Sequence, residues 1–179
     1  MSAGLLLSNG TMHRTAIHWR SLTTLDLPAV EAIAGSVHPS FPEDIAVLAE
    51  RQRLYPDGAR FLELNGQPAG YVLSHTWTLG DLPALNSRLG HIPVGADTYY
   101  IHDLALLPVA RGTGAATQIV GALIEHAKKR RFASISLVAV NGSVPFWRKH
   151  GFEEIESAGL TSKLASYEPT ARLMVRALA

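Results

Sequence analysis

The sequence contains no cysteine among its 179 residues. Disulfides, thiolate catalysis and cysteine-built zinc sites are therefore excluded, and a reducing compartment suits the chain. It also lacks an excess of charge of one sign, because 16 Lys and Arg face 15 Asp and Glu, whereas a nucleic-acid partner usually requires a basic face. No apolar run approaches the roughly 18 residues that a membrane span requires. We therefore expect a cytoplasmic protein with neither nucleic-acid nor membrane partners.

The chain is long enough for one domain with a packed core, since 47% of its residues are hydrophobic. We expect residues 1–15 to be flexible and residues 16–179 to form that domain. The spacing of apolar residues predicts the element order β-α-α-β-β followed by β-α-β-α-β-β. Residues 79–96 are rich in Gly, Pro, Asn and Asp and predict a long loop of the kind that is often functional. The eight histidines show no metal-binding spacing, so we expect no metal site.

The stretch from Tyr99 to Thr117 joins a predicted buried strand to a predicted helix through a proline and a glycine-rich loop. Gly112 and Gly114 carry no Cβ, so the backbone can turn tightly there and approach another molecule. Arg111 adds a positive charge. The start of the helix adds free N–H groups and the positive end of the helix dipole. Together these features predict a site for a phosphate-bearing ligand at this turn.

The loop reads R-G-T-G-A-A over residues 111–116, which fits the pattern R/Q-x-x-G-x-G/A between a strand that ends in proline and a long helix. Residues 138–152 read VAVNGSVPFWRKHGF, with an Asn after a strand and an aromatic-x-x-x-Gly-Phe closure. In this combination the chain resembles the GCN5-related N-acetyltransferases (GNAT). The resemblance covers about residues 15–177 and is strongest over residues 98–156.

The resemblance implies an α/β (α+β) fold: a mixed, mostly antiparallel sheet of six to seven strands, a splayed central parallel pair and about four helices. It also implies that acetyl-CoA is the acyl donor. The glycine-rich loop would bind its pyrophosphate through N–H groups, and the strand before the loop would bind the pantetheine arm through its main chain. The implied cofactor-binding residues are Leu104, Leu106, Arg111, Gly112, Thr113, Gly114, Ala115, Ala116, Asn141 and Trp147.

The implied reaction transfers an acetyl group to a primary amine by direct attack, and we expect a small molecule as the acceptor. Trp147 stands where the family often has a Tyr that protonates the thiolate, although indole is too weak an acid for that task. The strand SISLVAV also lacks the Glu that the family often has before the Asn. These departures keep a non-catalytic acyl-CoA-binding module as an alternative. Protein or peptide amines are the alternative acceptors, and a homodimer is one option for the assembly.

The catalytic candidates on the predicted strand are Asp103, His102 and Tyr99. Strand alternation predicts that His102 and Asp103 face opposite sides of the sheet, so that only one of them reaches the thioester. We favour Asp103 as the base or amine anchor, with His102 as the alternative because its ordinary pKa suits a base near neutral pH. Tyr99 could bring a phenol to the acceptor. The loop with His38 and Glu43 lines the acceptor site in the family, and a solvated loop is the alternative interpretation.

Overall fold

The computed structural model describes residues 15–178, so most of the segment predicted to be flexible lies outside the described residues. Within this range seven strands form one sheet: β1 (Ile17–Ser21), β2 (Ala59–Leu64), β3 (Gln67–Trp77), β4 (Thr98–Leu106), β5 (Ser134–Ala139), β6 (Glu153–Glu154) and β7 (Arg172–Ala177). The α-helices of the described chain are α1 (Leu27–Val37), α2 (Ile45–Leu54), α3 (Ala115–Lys129), α4 (Val144–Lys149) and α5 (Thr161–Ala165). The predicted order is confirmed, and the five-residue α5 is the helix that the sequence did not predict.

The sheet forms the middle layer of three. Its strands lie in the order β1-β2-β3-β4-β5-β7-β6, and neighbouring strands are antiparallel except for β4 and β5. Helices α1 and α2 cover one face, around Leu48, Phe61 and Tyr71. Helix α3 covers the other face, where Val120 packs against Ile135 and its neighbours. The mixed, mostly antiparallel sheet with a central parallel pair confirms the predicted fold class.

Local sequence explains the elements that flank the site. The apolar residues of α3 recur at helical spacing, and Ile119, Leu123 and Ala127 are all buried. Strands β2 and β3 form a hairpin through Asn65 and Gly66, which both adopt positive φ (50° and 78°), as a tight hairpin turn requires. Of the helices in the described range, none is both long and apolar enough to cross a membrane.

Strands β4 and β5 diverge halfway along β4. Their parallel register runs from Tyr99 with Ile135 to Ile101 with Leu137. Beyond that point β4 continues to Leu106 and stays paired with β3, while β5 stays paired with β7. The sheet therefore opens between the two strands, which confirms the predicted splay of the central parallel pair.

A β-bulge in β4 corrects the prediction that His102 and Asp103 face opposite sides. The register with β3 pairs Leu73 with Asp103 but Ser74 with Ile101, so His102 is an extra residue without a partner on β3. Both side chains consequently lie on the face that carries α1 and α2. His102 contacts Glu43 of the loop after α1, and Asp103 contacts His38 at the end of α1. Simple strand alternation was wrong here because a bulge shifts the alternation by one residue.

Residues 78–97 form the β3–β4 loop, and side chains of α2 fix its position. Glu50 accepts a hydrogen bond from the N–H of Leu89 (2.7 Å). The adjacent Arg51 pairs with Glu50 (3.0 Å) and donates to the carbonyl of Ser87 (2.6 Å). Both charged side chains are buried. The loop that the sequence predicts is therefore tied to the α1–α2 face.

Candidate active site

A large groove of about 860 Å³ opens where β4 and β5 diverge. Ile101 and Leu137, the last pair of the parallel register, are part of its lining. The lining contains most of the residues predicted to bind a cofactor, namely Leu104, Leu106, Arg111, Gly112, Gly114, Ala116, Asn141 and Trp147. It also contains the catalytic candidates His102 and Asp103.

The main chain of β4 offers hydrogen-bonding groups to this groove. In an antiparallel pair, alternate residues direct both N–H and C=O to the neighbouring strand. The N–H of Leu107 donates to the carbonyl of Ala69 (2.9 Å), so the same register directs the groups of Ala105 to β3. Leu104 and Leu106 therefore direct their main-chain groups to the opposite edge, from which β5 has diverged. An amide-containing arm laid along this edge would find both donors and acceptors.

The turn into α3 leaves space on its groove side. Gly112 and Gly114 adopt positive φ (74° and 92°), and a Cβ at either position would meet no protein atom within 4 Å. Thr113 supports the turn from inside. Its Oγ1 donates to the carbonyl of Ala110 (2.7 Å) and accepts from the N–H of Ala115 (3.3 Å). Thr113 and Ala115, both predicted to bind the cofactor, thus bond to each other, and neither lines the groove.

Free donors remain on the outer side of the same turn. Among the described residues, the N–H groups of Gly112, Gly114 and Ala116 have no hydrogen-bond partner. Arg111 is exposed at the groove and places a positive charge beside them. Thr117, which the sequence interpretation left out, also lines the groove. A helix N-terminus with free donors and a cation is a ready site for a phosphate group.

Asn141 and Trp147 line the groove from the side of β5 and α4. The N–H of Asn141 donates to the carboxylate of Glu168 (2.9 Å), and its Nδ2 lies 3.2 Å from Nδ1 of His38. Trp147 is 6% exposed and packs against Phe152, with ring centroids 5.3 Å apart. Trp147 is thus a core residue that also forms part of the groove wall.

A smaller pocket of about 70 Å³ adjoins the groove and shares part of its lining. That volume corresponds to on the order of five water molecules. Its lining consists of His38, Phe41, Glu43, Pro83, Ala84, Leu85, Tyr100, His102, Asp103, Val138, Val140 and Tyr167. Three of these titratable residues, His38, His102 and Asp103, also line the large groove. We call these three side chains the junction, because they stand where the two cavities meet.

Asp103 is held between two partners in the junction. The hydroxyl of Tyr71 donates to its Oδ2, and Nε2 of His38 lies 2.9 Å from its Oδ1, a close nitrogen–oxygen contact rather than an aligned hydrogen bond. Burial lowers the pKa of His38, but the Asp103 carboxylate outweighs burial and leaves that pKa raised. Burial raises the pKa of Asp103, but His38 and Tyr71 outweigh it and leave that pKa lowered. The pair is therefore a charged carboxylate beside an imidazole with increased affinity for a proton.

His102 forms a second imidazole–carboxylate pair. Its Nε2 lies 3.4 Å from Oε1 of Glu43, and its buried Nδ1 has no partner among the described residues. Burial raises the pKa of the Glu43 carboxyl, but His102 outweighs burial and leaves that pKa lowered. Behind His102, burial and the His102 charge lower the pKa of His75 to about 3, so His75 is neutral. The junction and Glu43 thus form two neighbouring imidazole–carboxylate pairs.

Tyr99 is not brought to the junction. Its side chain is completely buried on the α3 face, where its hydroxyl hydrogen-bonds to Ser74 (2.8 Å) and its ring packs against His126. It lines neither cavity. The next residue, Tyr100, faces the small pocket instead, and burial raises its pKa well above the ordinary value.

The sequence did not predict the wall of the small pocket that Tyr167 and the β3–β4 loop form. The hydroxyl of Tyr167 donates to the carbonyl of Pro83, a residue 84 positions earlier in the chain. Leu85 of the same loop completes this wall. Because the contact joins two irregular segments that are far apart in the sequence, no local residue pattern predicts it.

Residues 19–152 match the model of the acetyltransferase (GNAT) family. The chain therefore belongs to this family, and the predicted resemblance is confirmed. Over 103 residues the chain is 29% identical to an uncharacterized N-acetyltransferase of Methanocaldococcus jannaschii. That match covers 56% of this chain and 41% of the relative, so the chain spans less than half the length of the curated protein that it matches.

Solved structures share the fold at low sequence identity. Ard1 from Thermoplasma volcanium superposes with a TM-score of 0.72 at 16% identity, over 92% of this chain and 99% of its own. The GphF GNAT-like decarboxylase in complex with isobutyryl-CoA superposes with a TM-score of 0.74 at 16% identity, over 90% of this chain and 100% of its own. These likenesses establish the architecture of the sheet and its splayed strands.

Proposed function

We propose that this protein transfers the acetyl group of acetyl-CoA to the primary amine of a small molecule by direct attack. The observation that carries the proposal is the junction. A large groove and a small pocket meet where β4 and β5 diverge, and three titratable side chains stand between them. A thioester in the groove and an amine in the pocket would face each other across these side chains.

The large groove fits an acyl-CoA molecule. The free N–H groups at Gly112, Gly114 and Ala116, with Arg111 beside them, suit a pyrophosphate. The free edge of β4 suits the amides of a pantetheine arm. The complex of the GphF decarboxylase with isobutyryl-CoA supports this assignment. Acetyl-CoA would supply the activated acetyl group, and the side chains of this protein would handle the protons. A cytoplasmic location and a homodimer stay predictions.

His38 is the base in this proposal. A primary amine has an ordinary pKa of about 10.4 and is protonated near neutral pH, so it must lose a proton before its nitrogen can attack. Asp103 orients the His38 imidazole at 2.9 Å and stabilises the imidazolium that forms. The proton goes to Nδ1, the other ring nitrogen, so the bound amine must take the place of the Asn141 amide that lies 3.2 Å from it. Asp103, the base in the sequence prediction, thereby becomes the residue that positions the base.

His102 is the second proton-exchanging group in this proposal. It lines both cavities and has a buried, unpartnered Nδ1 among the described residues. We assign it the return of a proton to the departing thiolate, the role that the family often gives to a Tyr at the position of Trp147. A thiol with an ordinary pKa near 8.5 also tolerates leaving as a thiolate, so His102 supports this step without being indispensable.

Two measurements test the proposal on the full chain. Calorimetric titration with acetyl-CoA should show binding, and thiol release should accelerate when a small primary amine is added. Mass spectrometry should then show the amine with one added acetyl group. Tight binding of acetyl-CoA with no thiol release on any amine would instead establish the non-catalytic acyl-CoA-binding module.

A further inference from the structure

The acidic and basic side chains of the small pocket form one group. They are His38, Glu43, His102 and Asp103, and all four belong to the two imidazole–carboxylate pairs described above. The rest of its wall consists of aliphatic and aromatic side chains together with two phenols whose pKa is raised by burial: Phe41, Pro83, Ala84, Leu85, Val138, Val140, Tyr100 and Tyr167. An amine seated with its nitrogen at the junction would place its remaining atoms against an uncharged surface.

The lining offers no partner for a second charge. It contains no Lys or Arg within the described residues, so a carboxylate on the acceptor would be desolvated without a cation. The nearby Arg51 does not line the pocket and is 2% exposed; two of its guanidinium nitrogens contact Glu50 and the carbonyl of Ser87, and its buried Nε has no partner among the described residues. Both carboxylates of the lining, Asp103 and Glu43, already face an imidazole, so a second ammonium would have to compete with His38 or His102 for its partner.

Contacts between three separate segments hold one wall of the pocket in place. Tyr167, which follows α5, donates to the carbonyl of Pro83 in the β3–β4 loop. The same loop is joined to the start of α2, because Oδ1 of Asn86 accepts the N–H of Asp44 (2.7 Å). These contacts fix the wall around a cavity of about 70 Å³, a volume that suits a small body rather than an extended peptide.

We propose that the acceptor is a compact primary amine with an apolar, uncharged body of about four to six carbon atoms, a size set by the pocket volume. The inference rests on the proposed acetyltransfer and names its substrate class. It separates the acceptor from amino acids, polyamines and polypeptide N-termini, which carry a second charge or a longer chain.

A matched set of amines tests the charge rule. Isoamylamine, leucine and 1,5-diaminopentane have similar lengths, but leucine adds a carboxylate and the diamine adds a second ammonium. With the full chain and saturating acetyl-CoA, thiol release should give a kcat/KM for isoamylamine at least tenfold above either of the others. A short peptide with an N-terminal Leu should be slower still. Equal or faster turnover of leucine, the diamine or the peptide would overturn the inference while leaving the acetyltransferase activity proven.

A pair of variants tests the location of the acceptor. Leu85→Trp fills the apolar end of the small pocket from a residue that is 39% exposed, so folding should be preserved. Val94→Trp adds the same bulk to the same loop at a fully exposed position outside both cavities. Leu85→Trp should lower kcat/KM for isoamylamine at least tenfold at unchanged acetyl-CoA affinity, and Val94→Trp should change neither. An unaltered rate in Leu85→Trp would place the acceptor elsewhere. Acetyl-CoA binding without turnover of any amine would instead refute the proposed function itself.

Discussion

The large groove offers free main-chain donors and acceptors along one stretch of chain, whereas the small pocket is lined by residues of several separate segments. These main-chain groups lie on the edge of β4 and in the turn into α3, two features that are adjacent in the chain, while residues of β5 and α4 complete the groove wall. The pocket is assembled from the loop after α1, the β3–β4 loop, the bulge in β4, the end of β5 and the segment after α5. The main-chain part of the groove is therefore local in sequence, and the pocket is not.

The two cavities should therefore respond differently to substitutions. Main-chain donors do not depend on side-chain identity, so the groove should tolerate most substitutions except those that block the backbone. The pocket and the junction hold the shifted carboxyl and imidazole pKa values described above. Chemistry and acceptor choice should therefore be sensitive to single side chains there. Substitutions in each region provide direct tests of this division.

The largest effect should come from blocking the groove backbone. Gly114→Val places a branched side chain at a positive φ of 92° and into the space where we propose that the phosphate binds, so acetyl-CoA affinity should fall more than about 100-fold. Gly66→Val is the matched control, because Gly66 also has positive φ (78°) but lies in the β2–β3 hairpin. Calorimetric titration measures both. Retained affinity in Gly114→Val, with thermal melting that shows a folded protein, would move the phosphate site away from this turn.

The groove could be predicted from the sequence because its determinants are short-range. A strand that ends in proline, two glycines and an amphipathic helix fix the position of the turn within a run of about twenty residues. Residues 111–116 illustrate this: all six are predicted to bind the cofactor, and four of them line the groove. Thr113 and Ala115 do not line the groove. The backbone angles decide which residues of the turn face it, and the sequence alone does not give those angles.

The next effect concerns the base in the junction. His38→Gln removes a proton acceptor of suitable pKa while keeping a side chain that can contact Asp103, so kcat should fall by about 10²- to 10⁴-fold. Acetyl-CoA affinity should stay within about twofold, because the groove main chain is untouched. His91→Gln, an exposed position outside both cavities, should behave like the unmodified protein. If His38→Gln kept full activity, a different residue would be the base.

Asp103→Asn should have a smaller effect on kcat/KM, but it should also change how kcat/KM depends on pH. His38 must be unprotonated to act, so kcat/KM should rise as the pH rises through its pKa, which Asp103 holds above the ordinary value. Without the carboxylate, burial is left to lower the pKa of His38, and the acid limb should move to lower pH. The plateau should fall by about tenfold, or about 1.4 kcal/mol, because the carboxylate no longer stabilises the imidazolium.

The pH profile of kcat/KM for one amine should be recorded for Asp103→Asn and for the unmodified protein. This comparison shows whether Asp103 acts through His38 or only supports the fold. Glu125→Gln removes an exposed carboxylate on α3 and changes the net charge equally, so it controls for long-range electrostatics. Its profile should coincide with that of the unmodified protein. A plateau loss in Asp103→Asn without any shift of the acid limb would show that Asp103 does not act through His38.

The junction and the pocket were only partly predictable, and the reasons are physical. Asp103 and His102 were found because they lie beside the glycine-rich turn, but their relative orientation depends on a bulge that no residue pattern signals. The role of His38 depends on a contact made across 65 residues of chain. Tyr99 and Tyr100 are equivalent in sequence, and only the packing of α3 decides which of them is buried away from the pocket.

The smallest effect tests the closure of the small pocket. Tyr167→Phe removes only the hydrogen bond to the carbonyl of Pro83, a contact worth about 1 kcal/mol, so the amine KM should rise by about fivefold while kcat and acetyl-CoA affinity stay unchanged. Tyr55→Phe is the matched control, since its hydroxyl contacts His126 (3.0 Å) outside both cavities. It should lower the melting temperature to a similar extent without altering the amine KM. A similar loss of thermal stability in both variants, with an unchanged amine KM in Tyr167→Phe, would show that this contact holds the fold together but does not shape the acceptor pocket.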